Sequence, residues 1–237
     1  MQEHTHKAFD TDLQGLARLV AEMGGLAEKQ IADAVDALAK RDANLAQKVR
    51  NADAAIDALQ RDIEEKAILT IARRQPMAID LREIVGSLRV ANDLERIGDL
   101  AKNIAKRVVA IGVETYPATV LRGVEHMADL VLAALKQVLD AYARRDLDAA
   151  LQVWRGDEEI DGVNNSLFRE LLTYMMENPR NITFCTHLLF CAKNIERMGD
   201  HATNIAETVH YMVEGRALID ERPKSDTTSL TNVPFPA

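Results

Sequence analysis

The sequence predicts an all-α protein made of two tandem antiparallel three-helix bundles, with six long helices related by internal duplication. Three observations support this fold class. Aromatic residues make up 4% of the 237-residue chain, and 11 Gly and 6 Pro leave it short of strand formers and turn residues. Apolar residues recur at helical spacing between the few prolines. A long segment of the first half also reappears in the second half.

The first half contains three helical stretches. An apolar stripe from Leu13 to Leu38 predicts the first helix, and the polar run over 40–42 ends it. A second stripe from Leu45 to Ile63 predicts a helix that ends near Arg74. Because proline opens helices well and interrupts them badly, we expect the third helix to begin around Pro76 and to run to about Ile111.

The second half repeats this plan with helices over about 116–144, 146–177 and 179–215. We therefore divide the chain into a first three-helix repeat over 1–112, a second over 113–215 and a tail over 216–237. The tail combines three prolines with a Ser/Thr-rich stretch, which predicts that it is mostly disordered.

The two halves are related residue by residue. Residues 91–108 (ANDLERIGDLAKNIAKRV) and 192–209 (AKNIERMGDHATNIAETV) are identical at 10 of 18 positions at an offset of 101. Residues 53–57 (DAAID) also match 157–161 (DEEID). A repeat of this length indicates duplication of the whole three-helix unit.

The net charge, the cysteines and the lack of targeting signals limit the classes of function and the cellular compartment that the sequence allows. A formal net charge of -8 argues against a general nucleic-acid binder, which needs a basic face. Cys185 and Cys191 form no redox or zinc motif and are interpreted as small core residues in a reducing compartment. With neither a signal peptide nor a membrane-length apolar stretch in the sequence, we expect a cytoplasmic protein.

The duplicated segments share an acidic residue followed four positions later by Asp. The four pairs are Asp53/Asp57, Glu95/Asp99, Asp157/Asp161 and Glu196/Asp200. Residues four apart share a helix face, where two carboxylates repel by roughly 0.2–0.5 kcal/mol. Hard or borderline cations remove this repulsion, since carboxylate oxygens are their preferred ligands. A fifth pair, Glu125/Asp129, lies outside the duplicated pattern.

The acids also lie on a face that is apolar one or two turns earlier. Glu95 and Asp99 continue the stripe of Ile84, Leu88 and Ala91. Acids from neighbouring helices could therefore meet in a groove, which predicts one metal site in each half. Four residues after each motif Asp, Asn103 and Asn204 would add a neutral oxygen.

Gly98 and Gly199 occupy the same point of the two motifs. Glycine within a helix costs about 0.5–1 kcal/mol relative to alanine, so its position indicates a close approach of another group. We favour helix–helix packing over a ligand as that group.

With these motifs in view, the chain resembles the PhoU family of phosphate-uptake regulators. The resemblance rests on QPMAIDLREIVGSLRVANDLERIGDLAKNIA (75–105) and NIERMGDHATNIAE (194–207), together with the opening residues 4–38, and it spans about residues 4–214. The paired Glu-Arg-hydrophobic-Gly-Asp motifs are quite specific together, although either alone would be weak.

The resemblance implies a non-catalytic, cytoplasmic negative regulator of phosphate uptake, often a homodimer. It implies action on the ATPase of the phosphate-specific ABC transporter and on the membrane histidine kinase that reports phosphate starvation, so that contact with the membrane comes only through partners. It also implies divalent or multinuclear metal (iron, zinc, magnesium or manganese) at the four acidic pairs, all of which are intact. Two departures suggest unequal sites: Leu100 stands opposite His201, and the second copy lacks a counterpart of 80–82.

Two other interpretations remain open. A helical adaptor that works without metal would need the acids only to solvate a helix face. A ferritin-like di-metal oxidase would need paired Glu-xx-His ligands facing the bundle interior. The chain offers only Glu3/His6 and Glu207/His210, which are unrelated in position.

Overall fold

Six long helices account for the fold of the computed structural model, which describes residues 2–112 and 118–220, with side chains over 9–112 and 120–220. The helices are α1 (Gln2–Lys40), α2 (Ala43–Arg74), α3 (Ile79–Ile111), α4 (Ala118–Arg144), α5 (Leu147–Glu177) and α6 (Ile182–Glu214), with a 3₁₀ turn over Pro179–Asn181. The two antiparallel three-helix bundles predicted from the sequence are confirmed.

The first connection of each half has the same local chemistry. Asp42 caps α2, and its carboxylate accepts hydrogen bonds from the backbone N–H groups of Asn44 and Leu45, both at 2.9 Å. Asp146 caps α5 in the same way through Ala149 N–H at 3.0 Å. The residues before these caps, Arg41 and Arg145, both have positive φ, at 55° and 56°. The duplication therefore extends to the turns.

The third helix of each half begins later than its proline suggests. In the first half, Gln75 ends α2 with φ of 48°, and Ala78 at φ 49° delays α3 until Ile79. In the second half, Pro179 opens a 3₁₀ turn, and Asn178 accepts a hydrogen bond from Arg180 N–H at 3.1 Å before α6 begins. Each proline thus lies in the connection rather than in the first turn of the α-helix.

The halves pack side by side through α3 against α6 and α1 against α4. Contacts along α3 run in the opposite direction along α6: Arg82 lies near Gly215, and Arg107 lies near His187. The two helices are therefore antiparallel, and a pseudo-twofold axis between them relates the halves. The core is a continuous set of buried aliphatic residues with few aromatic side chains.

One residue after the last helix extends this core. Leu218, just beyond α6, is half-buried and packs against the core. Most of the tail that the sequence predicts to be disordered, from 221 onward, lies outside the described residues, as do 113–117 between the halves. Among the described residues, the helices are too polar for any of them to cross a bilayer.

Candidate metal-binding grooves

The first acidic groove lies between α2 and α3. Asp53 is buried at 4% exposure, while Asp57, Glu95 and Asp99 are half-buried. Two carboxylates come from each helix, as the spacing predicts, because residues four apart on a helix share a face. The first half therefore brings its four predicted acids to one inter-helix surface.

The pKa of Glu95 shows that the four acids of this groove interact electrostatically. Burial raises the pKa of its carboxyl, Arg96 opposes the increase, and the charges of Asp99, Asp57 and Asp53 raise the pKa further. The acids of α2 thus lie within electrostatic range of an acid on α3. Negative charge concentrates in the groove in a way that favours a cation or a proton.

Lys102 brings a positive charge into this groove. Its Nζ contacts the carboxylate of Asp53 and lies 3.4 Å from Asp99 Oδ1, so the ammonium bridges α2 and α3. Its hydrogen bond to Asp53 is the main cause that raises the pKa of Lys102. Lys102 was not among the site residues predicted from the sequence, although its position three residues after Asp99 was a usable signal.

Close approach of α1 and α2 completes the first groove. A methyl group added at Gly98 would lie 2.9 Å from Ile56 Cδ1, 3.1 Å from Gln30 Oε1 and 3.5 Å from Asp53 Oδ1. Gly98 therefore lets α3 approach side chains of both neighbouring helices, as the packing interpretation predicts. Gln30 was not among the predicted site residues, because nothing in the sequence of α1 links it to the acids.

The second acidic groove lies between α5 and α6 and is more deeply buried. Asp157, Asp161 and Glu196 are 3%, 3% and 4% exposed, and Asp200 is half-buried. Thr203 Oγ donates a hydrogen bond to Asp157 Oδ1 at 3.3 Å. At the rim, Lys193 Nζ lies 2.8 Å from Glu196 Oε1.

The second groove repeats the glycine contact of the first. A methyl group at Gly199 would lie 3.0 Å from Ile160 Cδ1 and 3.7 Å from Asp157 Oδ1. These distances match those at Gly98 to Ile56 and Asp53 within a few tenths of an ångström. The same close helix contact thus holds the buried acid of each groove.

Donor chemistry in the two grooves suits a hard cation, since it consists of carboxylate, hydroxyl and amide oxygens. The residues fit such an ion by type and by their origin on facing helices. In the described part of the chain, however, no three His, Cys, Asp or Glu side chains are positioned as a group that could hold one metal ion. Binding would therefore require side chains to rotate and the lysine contacts to open.

Three polar residues near the motifs have partners outside the grooves. His201 Nδ1 lies 2.8 Å from Asp93 Oδ1 on α3, and Asn204 Nδ2 donates to the same oxygen at 3.3 Å. Asn103 Oδ1 accepts a hydrogen bond from Lys106 at 3.1 Å. Thus His201 and Asn204 join the two halves, and the expectation that Asn103 and Asn204 supply groove oxygens does not match these contacts.

Comparisons with known proteins identify the family of this chain. A PhoU domain matches twice, over residues 20–108 and 124–209. A relative from Rhizobium meliloti (strain 1021), called phosphate-specific transport system accessory protein PhoU homolog, is 60% identical over 226 residues, which cover 95% of each chain. A relative of the same name from Caulobacter vibrioides (strain NA1000 / CB15N) is 51% identical over 229 residues, covering 97% of this chain and 100% of the relative.

Solved structures agree in fold. The crystal structure of PhoU from Pseudomonas aeruginosa superimposes with a TM-score of 0.84 at 41% identity, covering 88% of this chain and 100% of that one. The crystal structure of the phosphate transport system regulatory protein PhoU from Streptococcus pneumoniae gives a TM-score of 0.82 at 28% identity. The match covers 89% of this chain and 99% of that one. With both repeats matched in sequence and in structure, this chain belongs to the PhoU family.

Proposed function

We propose that this chain is a non-catalytic accessory regulator of a phosphate-specific transport system that lowers phosphate uptake and phosphate-starvation signalling. The observation that carries the proposal is the similarity to accessory proteins of that system over nearly the whole chain. The Streptococcus pneumoniae protein that shares the fold is a phosphate transport system regulatory protein, which supports the same role.

In this proposal the chain acts as a homodimeric adaptor on two membrane-associated partners, the ATPase subunit of the phosphate ABC transporter and the phosphate-sensing histidine kinase. Two turns supply exposed apolar side chains for docking. Met77 and Ile79, at the α2–α3 turn, are 80% and 60% exposed, and Met176 and Ile182, at the α5–α6 turn, are 60% and 49% exposed. Because α3 and α6 are antiparallel, these turns lie at opposite ends of the protein.

A complementation experiment tests the regulatory role. The chain is expressed in a bacterium whose own PhoU gene is deleted, and phosphate uptake and a starvation-responsive reporter are measured at high phosphate. We expect both to fall to the level of the undeleted strain. Uptake and reporter activity that remain at the level of the deletion strain, with the chain present and folded, would contradict the proposal.

We propose in addition that the two grooves bind divalent cations. Asp53, Asp57, Glu95 and Asp99 would hold one site, and Asp157, Asp161, Glu196 and Asp200 the other. A bound cation would neutralise the carboxylates and join the second and third helices of each half. The support is the concentration of three carboxylates, those of Asp157, Asp161 and Glu196, in the buried space between two facing helices, since carboxylate oxygens are the ligands that hard cations prefer.

Metal binding is tested by elemental analysis of untagged protein and by melting with and without a chelator. A cation at 100 times its dissociation constant adds about 2.7 kcal/mol to the free energy of unfolding. We expect the increase in melting temperature to shrink in Asp157→Asn/Asp161→Asn and to persist in Asp129→Asn, outside the grooves. No shift with iron, zinc, magnesium or manganese would favour the adaptor that works without metal.

The structure also bears on the oxidase interpretation. Glu207 Oε1 accepts a hydrogen bond from Trp154 Nε1 at 3.1 Å, and His210 Nδ1 lies 3.2 Å from the backbone oxygen of Arg216. These contacts give both members of the second Glu-xx-His pair partners within the protein: the partner of Glu207 lies on α5, and that of His210 lies in the segment after α6. The side chains of Glu3 and His6 lie outside those described. The regulatory role is therefore the better supported function.

A further inference from the structure

The first groove already contains a cation that belongs to the protein. The Lys102 side chain is 30% exposed, whereas the Asp53 side chain that it contacts is 5% exposed. Its ammonium therefore reaches from the rim into the buried end of the groove. The ammonium also lies 3.4 Å from Asp99 Oδ1, so it contacts one acid on α2 and one acid on α3.

An uncharged oxygen is directed into the same groove. Gln30 is 3% exposed; its Nε2 donates to the backbone oxygen of Val49 at 3.2 Å, and its Oε1 has no hydrogen-bond partner in the described part of the chain. That oxygen faces the space between Gly98 and Asp53. A buried amide oxygen without a donor is costly, and a cation near Asp53 would compensate it.

The duplicated half shows that a lysine is not required at this position. At the offset of 101, Lys102 corresponds to Thr203, whose hydroxyl donates to Asp157, the counterpart of Asp53. The lysine of the second groove is Lys193, which contacts Glu196. Its counterpart in the first half is Asn92. The scaffold thus accepts threonine in the position of Lys102 on the same helix surface.

We propose that Lys102 is the built-in counter-cation of the first groove and that a divalent cation binds there only by displacing its ammonium. Two cations cannot share Asp53 and Asp99 without strong repulsion, so the lysine weakens metal binding in this groove. When the ammonium leaves, Gln30 Oε1 supplies a neutral ligand beside the carboxylates. This inference rests on the proposed cation binding and defines what regulates it.

The test compares Lys102→Thr with Lys106→Thr in the full chain. Lys106 is exposed on the same helix, contacts Asn103 and carries the same charge, so it controls for net charge. Both changes are made in an Asp157→Asn/Asp161→Asn background to weaken the second groove, and Mn²⁺ binding is measured by calorimetry. We expect Lys102→Thr to tighten binding at least about tenfold and Lys106→Thr to change it less than about twofold. Equal effects of the two substitutions would overturn the inference.

A second measurement uses the unmodified protein and does not depend on the folding of a variant. Lysine acylation is followed by mass spectrometry with and without Mn²⁺. We expect Mn²⁺ to raise the labelling of Lys102 by at least about twofold, because the released ammonium moves into solvent, and to leave Lys106 unchanged. Unchanged or reduced labelling of Lys102 at saturating Mn²⁺ would overturn the inference.

The two proposals fail in different ways. If neither groove binds Mn²⁺, iron, zinc or magnesium in the unmodified protein or in Lys102→Thr, cation binding itself is refuted and the inference falls with it. If Mn²⁺ binds but Lys102→Thr leaves the affinity of the first groove unchanged, only the role of Lys102 is refuted.

Discussion

His201 on α6 and Asp93 on α3 join the two halves of the protein through a hydrogen bond of 2.8 Å between Nδ1 and Oδ1. Asp93 is 8% exposed and also accepts a hydrogen bond from Asn204. A carboxylate only accepts, so the proton of this bond is on His201 Nδ1. The counterparts of these residues at the offset of 101, Asn194 and Leu100, cannot form such a pair, so the duplicated interface is asymmetric here.

Replacement of His201 by leucine, the residue of the first half, should destabilise the junction between the halves. The change removes one of the two hydrogen bonds that the buried Asp93 carboxylate accepts among the described side chains, at a cost of about 1–3 kcal/mol in the free energy of unfolding. Urea unfolding measures this cost. The control is His126→Leu at an exposed position of α4, which should stay within about 0.5 kcal/mol of the unmodified protein. Equal stability of the two variants would show that the pair contributes nothing.

The two motif glycines should resist substitution, unlike glycines on exposed helix faces. Gly98→Ala places a methyl group 2.9 Å from Ile56 Cδ1 and 3.1 Å from Gln30 Oε1, and both side chains are buried with little room to move. Overpacking of this kind costs about 1–3 kcal/mol, more than the gain in helix propensity. Gly156→Ala meets nothing within 4 Å and should stabilise the protein by about 0.5–1 kcal/mol. Thermal unfolding of both variants measures the difference, and stabilisation by Gly98→Ala would contradict the close contact of α2 and α3.

Much of this fold follows from the sequence because its signals are local or duplicated. Apolar periodicity determines the helices, and the capping residues Asp42 and Asp146 determine where α2 and α5 begin. The motif spacing also places the four acids of each half on two facing helices. Helix starts after Pro76 and Pro179 were less predictable, because the positive φ at Ala78 and the 3₁₀ turn depend on local geometry that residue type does not determine.

Which side chains contact one another in and near the grooves could be determined only from the structure. Lys102, Gln30 and His201 each select a partner on another helix, and helical spacing carries no information about such contacts. The sequence suggested that His201 could serve the second groove, whereas it binds Asp93 across the junction. Long flexible side chains reach several neighbours, and packing decides among them.

Both thiols should be unreactive in the folded protein. Burial raises the pKa of Cys185 to about 11 and that of Cys191 to about 12, so almost no thiolate is present at pH 8. Both side chains are also inaccessible to solvent. A disulfide reagent at pH 8 should therefore react with neither thiol in the native protein and with both in denaturant. Rapid reaction of either thiol without denaturant would show that the α6 core opens easily.

The apolar α2–α3 turn should contribute to binding of the transporter ATPase. Met77→Ser/Ile79→Ser removes two exposed apolar side chains, so it should change the free energy of unfolding by less than about 0.5 kcal/mol per residue. Removal of apolar anchors of this size should weaken binding to the purified ATPase subunit about tenfold or more, as measured by calorimetry. Val109→Ser, at a residue 45% exposed near the other end of α3, is the matched control and should bind normally. Equal affinities of the two variants would place the docking surface elsewhere on the helices.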